Sequence, residues 1–118
     1  MTLGSELDAL AQTIEARRGE DPSKSYTAKL LTEGPPKCAK KFGEEAVEFA
    51  LAVAAQDDAA VAAEAADALY HLLVALAARG VPPDAVAEAL AKRRGVSGLE
   101  EKSGRPPSPP REGAEGGV

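Results

Sequence analysis

The segment KKFGEEAVEFALAVAA, residues 40–55, places Glu44, Glu45 and Glu48 within five positions, and the stretch EAAD adds Glu64 and Asp67. Carboxylates at this density either solvate a helix surface or gather round a hard cation. No His or Cys lies between Glu44 and Asp67. An oxygen-only donor set suits Mg²⁺, or Mn²⁺ in its place, better than zinc. On a helix each residue advances by about 100°. With the apolar stripe centred near Phe42, Glu45 lies about 60° to one side and Glu48 about 120° to the same side, so the two are neighbours. Glu44 falls further round, near the solvent face. Centring the next helix on Val61 puts Glu64 about 60° and Asp67 about 120° to one side. Each helix thus carries an i, i+3 acidic pair on the shoulder of its stripe. If the shoulders face one cleft, four carboxylates converge. Two carboxylates about 4 Å apart repel by roughly 4 kcal/mol at an effective dielectric of 20, so such a gathering calls for protonation, separation or a bound cation. Lys40 and Lys41 stand at i, i+4 spacing from Glu44 and Glu45 and supply the other reading, a solvated face laced with ion pairs. The spacing alone leaves both open.

The elements that must position these groups are helical throughout. Leu3, Leu7, Leu10 and Ile14 recur at helical spacing, which predicts a first helix over about 5–18 with Ser5 as its cap. GEDPSKS is turn-rich. Ser25 or Ser23 caps a short helix, YTAKLLTE, which Gly34 and its prolines end. A long helix runs from near Pro36 to about Gln56, with Phe42, Ala46, Phe49, Ala50 and Val53 as its stripe. Gly43 inside it costs about 1 kcal/mol relative to Ala, which points to close approach of a backbone or a ligand. Asp57 or Asp58 caps the next helix, whose stripe is Val61, Ala65, Ala68, Leu69, Leu72 and Leu76 and whose stop is Gly80. The short break makes the two long helices an antiparallel hairpin. VPPDAVAEALAKRRG gives a last helix with Pro83 in its first turn, and no alternating run is long enough for a strand. The fold class is therefore all-α, a hairpin-based bundle of about five helices. Residues 1–103 form one domain, and from residue 104 a Pro- and Gly-rich tail is expected to be disordered.

Composition limits the functions open to this bundle. Aromatics are 3% of the 118 residues and there is no Trp, so Ala, Leu and Val must make the core. A core so modest is expected to be completed by a second subunit, in a homodimer or higher homo-oligomer. A net charge of −5 argues against nucleic acid as a partner and admits an anionic substrate only with a cation between. The single cysteine, Cys38, excludes an internal disulfide and zinc-ligand spacing, and its simplest place is small and partly buried. With no signal-like segment and no uncharged apolar run of about 18 residues, the expectation is a cytoplasmic protein without a membrane partner. His71 is expected to be a hydrogen-bonded core or interface histidine. Lys92, Arg93 and Arg94 solvate the last helix and favour its dipole.

EEAVE together with EAAD resembles the acidic signature of the all-α nucleoside-triphosphate pyrophosphohydrolases, the MazG-like superfamily. DPSKSYTAKLL, KKFGEEAVEFALAV, EAADALYHLLVALAARGV and RGVSGLEEKS resemble one member family, the phosphoribosyl-ATP pyrophosphatases of histidine biosynthesis, over residues 5–103. The resemblance implies Mg²⁺-dependent hydrolysis of phosphoribosyl-ATP to phosphoribosyl-AMP and pyrophosphate. It implies metal-binding roles for Glu45, Glu48, Glu64 and Asp67. Glu44, in the first acidic slot, would belong to the catalytic set and orient water. Lys41 falls on the side of Glu45 and Glu48 and with Lys40, Lys29 and Tyr26 would reach the substrate. A related enzyme acting on (d)NTPs and a non-catalytic helical interaction module are the competing readings.

Overall fold

The structure, a computed structural model, describes residues 1–95; among them are five helices and no strand. They are α1 (Leu3–Arg17), α2 (Tyr26–Glu33), α3 (Pro35–Ala55), α4 (Asp58–Arg79) and α5 (Pro83–Arg94). The domain limit expected at residue 103 and the tail beyond it lie outside the described residues. The described chain separates into two units, Met1–Pro83 and one that begins at Asp84.

Single side chains decide most helix ends in the first unit. The Ser25 hydroxyl accepts from the Ala28 N–H at 3.1 Å and starts α2. Gly34, at φ 94°, ends α2, and Pro35 opens α3 where its missing N–H costs nothing. Asp57 Oδ1 accepts from the Ala60 N–H at 2.9 Å and starts α4. Gly80, at φ 74°, lets its own N–H reach the Ala77 carbonyl and the Val81 N–H reach Leu76, which closes the helix in a Schellman motif. The start of α1 differs from the expectation. Thr2, not Ser5, is the cap: its hydroxyl accepts from the Ser5 N–H at 3.0 Å, and the Ser5 hydroxyl accepts in return from the Thr2 N–H at 3.1 Å. Both residues are used, and the box they form starts the helix at Leu3. Removing one cap has a readable effect. Asp57→Ala should lower stability by about 0.5–2 kcal/mol, seen as a lower midpoint in a circular-dichroism melt; an unchanged midpoint would refute the capping role.

The core is small. Ile14 from α1, Ala28 and Leu30 from α2, Cys38 and Ala52 from α3, and Leu73 and Val74 from α4 are its buried apolar residues. The hairpin of α3 and α4 is its spine, and α1 and α2 close over the second half of α4. Cys38 is fully buried rather than partly so, and its thiol donates to the Leu30 carbonyl at 3.2 Å, tying α3 to α2. Burial pushes its pKa up, with the charge of Glu33 adding to the effect. Arg18 Nη2 donates to the Ala77 carbonyl at 2.8 Å and ties α1 to α4. By length and composition α4 could cross a membrane, at a mean hydropathy of 1.5, but it carries Glu64 and Asp67 and packs against α1, α2 and α3.

The inward face of α3 keeps Phe42, Ala46 and Phe49 of the expected stripe, all half-buried, and leaves out its other two members. Ala50 and Val53 are exposed, whereas Cys38 and Ala52 are buried and Phe42, Glu45 and Phe49 are half-buried. Helices approach most closely where side chains are small, so the contact line runs through Cys38 and Ala52 and carries Glu45 inward. Gly43 falls on the outer face, where an added Cβ would meet nothing within 4 Å. No other part of the described chain approaches it, so of the two reasons the sequence offered, close approach of this chain's own backbone is excluded.

In the second unit, α5 has Asp84 in its first turn and Lys92, Arg93 and Arg94 in its last, which matches the helix dipole at both ends.

Candidate metal centre

An antiparallel hairpin that reverses at Gln56 and Asp57 pairs residues by their distance from the turn. At about 1.5 Å of rise per residue, Glu45 stands about 16 Å from the turn on α3 and Asp67 about 15 Å on α4. Glu48 and Glu64 are matched in the same way, one turn nearer the reversal. The facing pairs thus meet at two levels, and the closest grouping takes one residue from α3 and two from α4. One carboxylate oxygen each from Glu45, Glu64 and Asp67 lies within 4.8 Å of the other two. Glu45 and Glu64 are half-buried and Asp67 is exposed.

Among the described residues no base is salt-bridged to this trio, and Lys41, the cation that acts on Glu45, is paired with Glu44. Partial desolvation raises the Glu64 pKa from its ordinary value, and the charges of Asp67, Glu48 and Glu45 raise it further. Three acid groups held together with no base among them form a site that a hard divalent cation would complete, with oxygen donors suited to Mg²⁺.

The remaining expected residues divide around this centre. Glu48 is exposed and near enough to Glu64 to shift it, but lies outside the tight grouping. Glu44 is exposed and pairs with Lys41, Nζ to Oε1 3.2 Å, at i, i+3 rather than the i, i+4 spacing of the sequence reading. The hydrogen bond from Lys41 to Glu44 raises the lysine pKa, helped by Tyr26 and Glu45. Lys41 therefore borders the centre on the Glu45 side. Tyr26, half exposed, is near Lys41 and meets the His71 ring edge-on at 6.1 Å. Lys29 and Lys40 are exposed and make no salt bridge among the described residues.

His71 departs from its expectation. It is buried, with 7% of its surface exposed, but Nδ1 has no hydrogen-bond partner. Its ring is held by the edges of Tyr70, at 4.9 Å between centroids, and Tyr26. Burial lowers its pKa, and the charge of Glu45 opposes that fall more than any other group. Two residues that help position this wall escape a periodicity reading altogether. The hydroxyls of Thr27 and Tyr70 hydrogen-bond across α2 and α4 and fix Tyr26 and His71 against each other. Only a search for pairs of hydroxyls on adjoining helices would have found them.

The site does not coincide with a deep cavity. A cavity of about 310 Å³ lies between α1 and the C-terminal half of α4, lined by Ile14, Leu73, Leu76, Ala77 and Val81 with the Glu15–Arg18 ion pair at its rim. It holds none of the expected site residues. The acidic centre is a surface of the hairpin instead.

A helical hairpin that gathers carboxylates from both of its helices, none of the trio salt-bridged among the described residues, defines an all-α protein with an acidic group whose donors fit a divalent cation. The chain belongs to the phosphoribosyl-ATP pyrophosphohydrolase family, whose model matches residues 7–94, from α1 to the end of α5. It is 57% identical over 101 residues to a phosphoribosyl-ATP pyrophosphatase of Cereibacter sphaeroides (strain ATCC 17025 / ATH 2.4.3), which covers 86% of this chain and 98% of that relative. It is 56% identical over 100 residues to the phosphoribosyl-ATP pyrophosphatase of Ruegeria sp. (strain TM1040), over 85% of this chain and 95% of the relative. The protein of that name from Rhodobacter capsulatus is 56% identical over 99 residues, or 84% of this chain and 96% of its own length.

Proposed function

We propose that this protein hydrolyses phosphoribosyl-ATP to phosphoribosyl-AMP and pyrophosphate, the second step of histidine biosynthesis, with Mg²⁺ held at Glu45, Glu64 and Asp67 and completed by Glu48. The observation that carries this is the convergence of three carboxylates from α3 and α4, none of them salt-bridged among the described residues, in a member of this family. Bound Mg²⁺ supplies neutralisation of phosphate charge and a lowered pKa for an attacking water. The chain does the rest. The hairpin fixes the donor oxygens before substrate arrives, so little reorganisation is left for the reaction. Glu44, on the rim and oriented by Lys41, is placed to align water or accept its proton. Lys41 and Lys40 offer cationic donors to phosphate oxygens, and Tyr26 and Lys29 on α2 extend the surface toward the rest of the nucleotide. On this reading the enzyme works in the cytoplasm.

A panel of substrates tests the assignment. Pyrophosphate release should be faster from phosphoribosyl-ATP than from any dNTP, and a chain ending at Ser103 should retain that preference. Faster turnover of a dNTP would replace this substrate by the related one.

The proposal extends to assembly. Val47 and Leu51, one turn apart on α3, are exposed at 58% and 54%, and Gly43 leaves the outer face of α3 open beside Val47. An apolar helix face with a smooth glycine position suits a second copy of the chain. Sedimentation should show a dimer or larger species, and Val47→Glu with Leu51→Lys should shift it to the monomer. A monomeric wild type would refute this.

A further inference from the structure

His71 stands on the same side of α4 as the acidic pair. At about 100° per residue, Glu64, Asp67 and His71 fall within roughly 60° of one another, and His71 is one turn deeper than Asp67. Glu44, Glu45 and Lys41 from α3 and Asp67 from α4 are the charged groups whose fields reach it, Glu45 foremost. Tyr26 from α2 and its neighbour Tyr70 pack edge-on against it. These contacts fix the ring but satisfy neither donor nor acceptor at Nδ1, which is buried and unpartnered. A buried polar atom without a partner is rare and costs more than an apolar group of the same shape. Its retention beside the centre calls for a partner that is present when the site is filled. His71 itself lies outside the trio's grouping, so it is set back from the ion position. Of the charged groups around it, Glu45 acts on His71 most strongly, and only one of its two carboxylate oxygens is needed for the grouping with Glu64 and Asp67.

We propose that His71 is a positioning residue for the cation site: its Nδ1–H donates to the Glu45 carboxylate and turns the other Glu45 oxygen onto the ion shared with Glu64 and Asp67. A carboxylate ligand needs such an outer hydrogen bond to hold its orientation, and losing one weakens metal binding by about 10–100-fold. The inference rests on the reading of the trio as a Mg²⁺ site.

Three variants separate this role from packing. His71→Phe keeps a ring and removes the donor. His71→Asn places an N–H close to the position of Nδ1, and His71→Gln places it nearer that of Nε2. Titration of Mg²⁺ into the full chain by calorimetry should give an affinity about 10–100-fold weaker for the Phe and Gln variants and within about threefold of wild type for Asn. The metal-free thermal midpoint of the Phe variant should be unchanged or higher, because an unsatisfied polar atom has gone. Its turnover should recover toward wild type at saturating Mg²⁺. Should the Phe variant fail to fold, the Asn and Gln pair carries the comparison. Normal Mg²⁺ binding by His71→Phe, or equal losses in Asn and Phe, overturns this inference alone. A wild-type chain that gives no Mg²⁺ heat overturns the metal reading and this inference with it.

Discussion

Glu64→Gln and Asp67→Asn should each lower turnover of phosphoribosyl-ATP by at least about a thousandfold, while the protein folds as well as wild type or better. The two halves of this result come from one cause. In the free chain the three carboxylates repel one another and no salt bridge among the described residues offsets the repulsion, so neutralising one removes an unfavourable interaction. In the working enzyme the same substitution removes a ligand oxygen from a site that has few. Mg²⁺ heat should fall with turnover, and the circular-dichroism midpoint should hold or rise. Loss of helicity in either variant would mean that these residues hold the fold together. Turnover above about a tenth of wild type would remove them from the centre.

Leu30→Ala should be the most damaging change to stability, at about 2–5 kcal/mol. Leu30 is 1% exposed and sits where α2 meets α3 and α4. Its carbonyl also receives the Cys38 thiol and the Gly34 N–H. A small domain has only about 5–15 kcal/mol in total, so this loss is a large fraction. The thermal midpoint should fall by about 10 °C or more at this domain size. The loss should also reach the site, because α2 carries Tyr26 and Thr27 to the His71 wall. A midpoint within about 2 °C of wild type would show that the α2 junction can collapse onto the vacated space.

The helix limits were legible to within a residue or two where one side chain decides them. Gly80 was legible outright, and the bonds of Ser25 and Asp57 decide between them and their alternatives Ser23 and Asp58. The start of α1 was placed too late, at Ser5, because Ser5 is itself a capping residue, and only its reciprocal bonds with Thr2 show that Thr2 begins the helix. The face of α3 was legible in part. Its expected centre near Phe42 holds, with Ala46 and Phe49 also half-buried, but Ala50 and Val53 are exposed, and the fully buried residues are Cys38 and Ala52, which a count of large apolar residues overlooks. The acidic residues were visible as two matched pairs on two wheels. The 60° offsets of Glu45 and Glu64 match their half-burial and the 120° offsets of Glu48 and Asp67 their exposure, but a wheel gives angle and not height, and only distance from the Gln56–Asp57 turn brings Asp67 level with Glu45. Gly43 and His71 were both marked in the sequence, and the burial expected of His71 is observed, but their contacts were not legible. Each depends on what surrounds it in three dimensions: open space for Gly43, and two aromatic edges with no acceptor for His71.

Pyrophosphate release from phosphoribosyl-ATP by the wild-type chain, measured with Mg²⁺ and again with the metal chelated, is the most direct test of a metal-dependent hydrolase built on this hairpin. Turnover with Mg²⁺ and its disappearance on chelation is the predicted result. Equal rates in both conditions, or no release in either, would contradict it and leave the carboxylates as the solvated face of a helical interaction module.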